Sequence, residues 1–189
     1  MAALRKPSAA PIYQLKVTLK GSKPPIWRRI LVPADVNLAR LHQILQVAMG
    51  WMGGHLHQFL VGGVYYGEPH PDFGDEIENE RRVKLSQAAS EVKDRFIYEY
   101  DFGDSWEHQI VLEKILPAEL GVQHPVCIAG KRACPPEDCG GVWGYAELLE
   151  TIADPKNPEH NEMLEWVGEG FEPEAFDLEE VNRALRSIR

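Results

Sequence analysis

The stretch "RFIYEYDFGDSWEHQIVLEKIL", from Arg95 to Leu116, constrains the fold more than any other. Phe96, Tyr98, Tyr100 and Phe102 alternate with mostly polar residues, and Trp106, His108, Ile110 and Leu112 do the same after "GDS" at 103–105. A period of two places each set on one face of an extended strand, and the Gly-Asp-Ser turn folds the second strand back on the first. So much apolar surface on one side of two long strands has to be covered. The chain is therefore expected to be built on an antiparallel sheet with one buried face. His108 falls on that apolar face, where its ring nitrogens require a hydrogen-bonding group or a metal.

Other segments extend the same pattern. "IYQLKVTLKG" alternates Tyr13, Leu15, Val17 and Leu19 with polar residues, "SKPP" breaks it, and "IWRRILVP" reads as a strand pairing back on the first. "HLHQFLVGGVYYG" reads as a hairpin, with Gly62 and Gly63 supplying the positive φ angles of a tight turn. His55 and His57 stand two apart on one face there, a spacing that permits metal ligation but with no third ligand signalled nearby. Between these strands, Leu38, Leu41, Ile44, Leu45, Ala48 and Met49 recur at helical spacing, with Asn37 as N-cap and Gly50 as the stop. His42 lies beside that stripe and is expected to pack at its boundary or meet solvent. The acidic run "GEPHPDFGDEIENE" reads as a surface loop without the ligand spacing of a calcium loop. The last third, "GYAELLETIAD", "PEHNEMLEWVG" and "DLEEVNRALRSI", is helical, with Asp177 placed to cap the final helix. The expected architecture is thus α+β: a largely antiparallel sheet of hairpins with one central amphipathic helix and a helical C-terminal third. Residues 1–11, rich in Ala and Pro, read as a flexible tail, and 12–189 as a single domain.

Charge bears on partners. With 20 Lys and Arg against 29 Asp and Glu the net charge is -9, which repels phosphate backbones, and the basic clusters "WRRI", "ERRVK" and "RALRSIR" are short and interleaved with other residues. General nucleic-acid binding is not expected, and the partner is sought among proteins and small molecules. No apolar run approaches the roughly 18–20 residues of a membrane span, so no membrane partner is expected and the cytoplasm is the expected compartment. "GDS" looks like a serine-esterase nucleophile, but such a serine is normally presented on a strand-to-helix turn, and Ser105 is followed by a strand pattern. Asp104 and Ser105 are better read as turn residues.

The blocks "PPIWRRILVP", "LHQILQVAMGW", "HLHQF", "YEYDFGDSWEH", "ACPPEDCGG" and "GY", in that order, closely resemble the plasmid pRiA4b ORF-3-like family, from about Ile12 to the terminal helices. The resemblance implies a single α+β domain carried on plasmids or mobile elements, with no settled biochemical role. Some members carry a resolvase label. Neither the serine recombinase set nor the Arg, His and Tyr set of a tyrosine recombinase can be assembled in this acidic chain.

Two clusters are candidates for chemistry. Cys127, Cys134 and Cys139, separated by six and four residues, are the only cysteines. They are either zinc ligands or reduced, unligated thiols, with a redox role as a third alternative. A fourth zinc ligand is available at His108 or His124, and the matched family blocks include only His108. The second cluster, Asp101, Asp104, Glu137 and Asp138 with His108, can hold a divalent cation through oxygen ligands, unless each carboxylate simply fixes a turn by accepting backbone N–H bonds. Two functional classes follow. One is a binding or accessory module with any zinc purely structural; the other is a metal-dependent hydrolase or nuclease using the carboxylates. A closed four-ligand site favours the first, because catalytic metals keep a position open.

Overall fold

The computed structural model describes residues 10–69, 77–119, 121–168 and 170–188. Eight strands form one sheet: β1 (Ile12–Leu19), β2 (Trp27–Pro33), β3 (His57–Val61), β4 (Val64–Gly67), β5 (Glu78–Asn79), β6 (Arg95–Tyr100), β7 (Trp106–Leu116) and β8 (Val126–Lys131). Their order is β5-β4-β3-β6-β7-β1-β2-β8. Every neighbouring pair is antiparallel except β4 and β5. The helices are α1 (Leu38–Met49), the single turn α2 (Leu85–Ala88), α3 (Gly141–Ala153), α4 (His160–Val167) and α5 (Leu178–Ser187). The α+β architecture expected from the strand-period hairpins is the one observed.

Register explains the burial. Leu15 pairs with Leu112, Val17 with Ile110, and Phe96, Tyr98 and Tyr100 with Ile110, His108 and Trp106. All of these side chains lie on one face and are buried there. The opposite face is mixed and carries ion pairs: Arg29 and Gln14 both hydrogen-bond Glu113, at 2.6 and 2.7 Å. α1 lies on the core face, with its Leu38, Leu41, Ile44, Leu45, Ala48 and Met49 stripe buried. Asn37 accepts from the Arg40 N–H as its N-cap, and Gly50 ends the helix at φ 111. Both roles were legible in the sequence.

Two segments depart from the sequence reading. Residues 126–131, where the sequence pattern predicts no element, form the edge strand β8, paired with β2 across a bulge at Arg29/Ile30. Its outer edge is closed by Asn182 of α5, whose amide accepts from Cys127 N–H and donates to Cys127 C=O, both at 2.8 Å. The side chain thus stands in for a neighbouring strand. The acidic run also ends in regular structure: Glu78–Asn79 pair with β4, and Glu80 opens a short 3-10 turn and is 4% exposed. Residues 70–76 of that run, and 1–9 of the expected tail, lie outside the described residues.

Candidate metal centre

One end of the sheet gathers three loops. The turn between β6 and β7 is held by Asp101, whose backbone sits at φ 58, a left-handed geometry that short polar side chains tolerate. Its N–H donates to Leu56 C=O at 2.8 Å, and its Oδ1 accepts from Gly103 N–H at 2.9 Å. The second carboxylate oxygen is left facing the loop between α1 and β3. There it stands 3.7 Å from His55 Nδ1.

The third loop runs from β8 to α3. Tyr100 donates to Glu137 at 2.6 Å, Met52 N–H donates to the same oxygen at 3.3 Å, and Trp51 Nε1 donates to Pro135 C=O at 3.1 Å. Burial first, and then the hydrogen bond to Glu137, raise the Tyr100 pKa, so the phenol stays a donor. Asp104 accepts from Gly140 N–H at 3.1 Å. A side chain at Gly141, which sits at φ 68, would place its Cβ 2.4 Å from Asp104 C=O, so only glycine lets the turn and the start of α3 approach this closely. These ties bring Asp138, at φ 59, to 3.5 Å from His55 Nε2.

Among the described residues, His55, Asp101 and Asp138 are the one group of three that brings potential ligand atoms within 4.8 Å of one another. Its side chains are graded in exposure: 10% for Asp101, 32% for His55 and 73% for Asp138. The site is thus walled on the Asp101 side and open on the Asp138 side.

The structure sorts the candidates named from the sequence. Asp101 and Asp138 meet at the site. Asp104 and Glu137 instead tie loops together, the turn-fixing role weighed against ligation. His108 is not at the site but inside the core at 0% exposure, edge-on to Trp51, with neither ring nitrogen hydrogen-bonded. Burial holds its pKa down at about 4, so the ring is neutral.

The gathering of sulfurs that the zinc alternative requires is absent: no three of Cys127, Cys134, Cys139 and His108 bring ligand atoms within 4.8 Å. The reason lies in β8. Cys127 is near its start with Sγ bonded to Ala129 C=O, and the strand carries the chain roughly 13 Å further at about 3.3 Å per residue before it turns. Burial pushes all three thiols up, Cys139 to about 12. His124 lines a groove against α5 instead.

The sequence offers His55 only as half of a pair with His57, and the structure separates the two. His55 stays in the loop after Gly53 and Gly54, whereas His57 enters β3 and bonds buried Glu80 at 2.8 Å. His42 stacks on His57 with ring centroids 3.5 Å apart and meets Tyr98 Oη at 2.8 Å; burial, then His57, lower its pKa to about 3. The Gly-Gly before His55 was the available sign that strand alternation had not yet begun.

Fold and site together define a class: a single-sheet α+β protein, helices on one face, with a carboxylate and histidine corner at the sheet's end. The chain belongs to the family described as plasmid pRiA4b ORF-3-like protein, which it matches over residues 11–180. It is 42% identical over 181 residues to the uncharacterized protein y4hQ of Sinorhizobium fredii (strain NBRC 101917 / NGR234), covering 95% of this chain and 93% of that protein. It is similar to the crystal structure of the protein of unknown function MM3350 from Methanosarcina mazei Go1, with TM-score 0.84 and 40% identity over 92% of this chain and 98% of that one. No helix among the described residues is long and apolar enough to cross a membrane.

Proposed function

We propose that this corner holds a divalent cation and that the protein is a metal-dependent hydrolase, with His55 in the role the sequence suggested for His108. The supporting observation is the arrival of one imidazole and two carboxylates from three separate segments within 4.8 Å. Ligands at roughly 2.1 Å from an ion stand about 3.0–3.4 Å from one another; because Asp101 faces Nδ1 of His55 and Asp138 faces Nε2, one ring nitrogen ligates and the exposed Asp138 swings toward it to close the set. Such a donor set suits Zn²⁺ or Mn²⁺ and leaves positions open, where a bound cation lowers the pKa of its water and polarises a substrate oxygen. Asp101 is prepared for ligation: one oxygen is spent on the turn, which fixes the direction of the other.

A second reading, a binding module for a protein or small-molecule partner, is supported by Met52 and Trp143, which are 91% and 85% exposed on the segments that build the corner. In both readings the setting is the cytoplasm, as an accessory of plasmids or mobile elements; the family's name supports the plasmid association alone.

Titration with Mn²⁺ followed by electron paramagnetic resonance separates the readings. Asp101→Asn keeps the oxygen that caps the turn but removes a charge, and together with His55→Ala it should weaken binding by about tenfold or more. Cation-dependent cleavage of an activated ester or phosphodiester should fall with it. Binding indifferent to both substitutions sinks the metal reading, while binding without cleavage of either probe moves the conclusion to the binding module.

A further inference from the structure

Among the described residues two arginines are buried, and they differ in how their charge is met. Arg132, 3% exposed, is bonded to the Glu174 carboxylate at 2.8 Å. Arg28, 2% exposed, meets only carbonyl oxygens and a ring: Nε donates to Ala48 C=O at 2.9 Å, Nη1 to Trp27 and Lys131 C=O at 2.9 and 3.0 Å, and Phe176 lies 4.5 Å from its guanidinium. Those bonds explain its structural part, since they tie the last turn of α1 to β2 and β8. A guanidinium carries five N–H donors, however, and the three bonds leave both donors of Nη2. A buried cation without an anion is costly, which makes the missing counter-charge the feature to explain. Burial lowers the pKa of Arg28 from its ordinary value, and the neighbouring thiols offset this only in part.

Arg28 also lines a cavity of about 470 Å³ between the end of α1 and residues 170–184. Much of the wall is apolar, from Val47, Met49, Phe171, Phe176, Val181 and Ala184. The charged groups are Arg28 at the buried end and Glu172, Asp177 and Glu180 at the mouth; a largely apolar cavity with a few placed polar groups is the usual form of a small-molecule site.

We propose that this cavity binds a small amphiphilic carboxylate, its apolar body between α1 and α5 and its head group on Arg28. The planar guanidinium suits a carboxylate better than a spherical anion, and the buried setting strengthens the pair. Glu172, Asp177 and Glu180 stand exposed on the rim, where water and salt screen them, whereas Arg28 acts in the unscreened interior. The site is separate from the His55 corner and independent of whether a cation binds there.

The test compares octanoate and phenylacetate with octanol and phenylacetamide, which keep the apolar body and lose the charge. Binding is followed by thermal shift and by the Arg28 Nε–H resonance. Both carboxylates should bind saturably and move that resonance, and the neutral analogues should bind at least about tenfold more weakly. Arg28→Met should abolish the preference. Because that variant also cuts three structural bonds, Ala184→Trp provides a second arm: it fills the cavity from α5 and should weaken carboxylate binding without touching Arg28. Absence of binding by both carboxylates, equal binding of the neutral analogues, or binding unchanged by Ala184→Trp would overturn the proposal.

Discussion

Replacing His108 by leucine tests the core and the metal assignment together. The ring is fully buried with neither nitrogen in a hydrogen bond, and its pKa is held at about 4 against an ordinary 6.5. Between those two pH values the unfolded chain binds a proton that the folded chain refuses. The stability tied to this neutral ring is therefore complete above pH 6.5, declines as pH falls, and levels off below about 4. The interval corresponds to about 3 kcal/mol, lost at ~1.4 kcal/mol per pH unit. His42, with its pKa lowered to about 3, acts in the same direction and is left unchanged by the substitution. Urea denaturation at pH 7, 6, 5 and 4.5 should show His108→Leu close to or above wild type at pH 7, because leucine removes two unbonded nitrogens. Its advantage should then grow by about 2–3 kcal/mol by pH 4.5. In melting temperature that is about 5–10 °C for a chain of this size. Parallel pH profiles, or a loss above about 2 kcal/mol at pH 7, would refute the reasoning, the latter by showing that the ring has a partner such as a metal.

Asn182→Ala removes both bonds to the Cys127 backbone and should cost about 1–3 kcal/mol, with faster exchange of the Cys127 amide; unchanged exchange would mean that β8 closes its edge by other means. Cys127→Ser should leave the metal content of the purified protein unaltered, since β8 carries this thiol away from the other two. Loss of one zinc per chain in that variant would restore the four-ligand site.

Local chemistry made most of the fold legible. The alternation in 95–116 and 12–33, the Asn37 and Gly50 boundaries of α1 and the Asp177 cap of α5 are each set by neighbours within a few residues, where period, capping and turn rules act. β8 escaped that reading because its Gly and Ala carry little strand preference of their own. It is a strand because β2 on one side and Asn182 on the other satisfy its backbone. The candidate site divides in the same way. The sequence marked Asp101 and Asp138 as acidic residues at turns, but the choice of histidine depended on which way a ring points after the chain has crossed the sheet. His108, two positions after Trp106 on β7, is turned into the core by strand parity. His55 reaches the carboxylates because Asp101 N–H holds Leu56, and Glu137 holds Met52, across 40 or more residues of sequence. Sequence by itself determined the sheet, its buried face and the main helices, because those follow from periodicity. Tertiary structure alone decided the partners of the buried polar groups, because hydrogen bonds between distant segments leave no periodic trace in the chain.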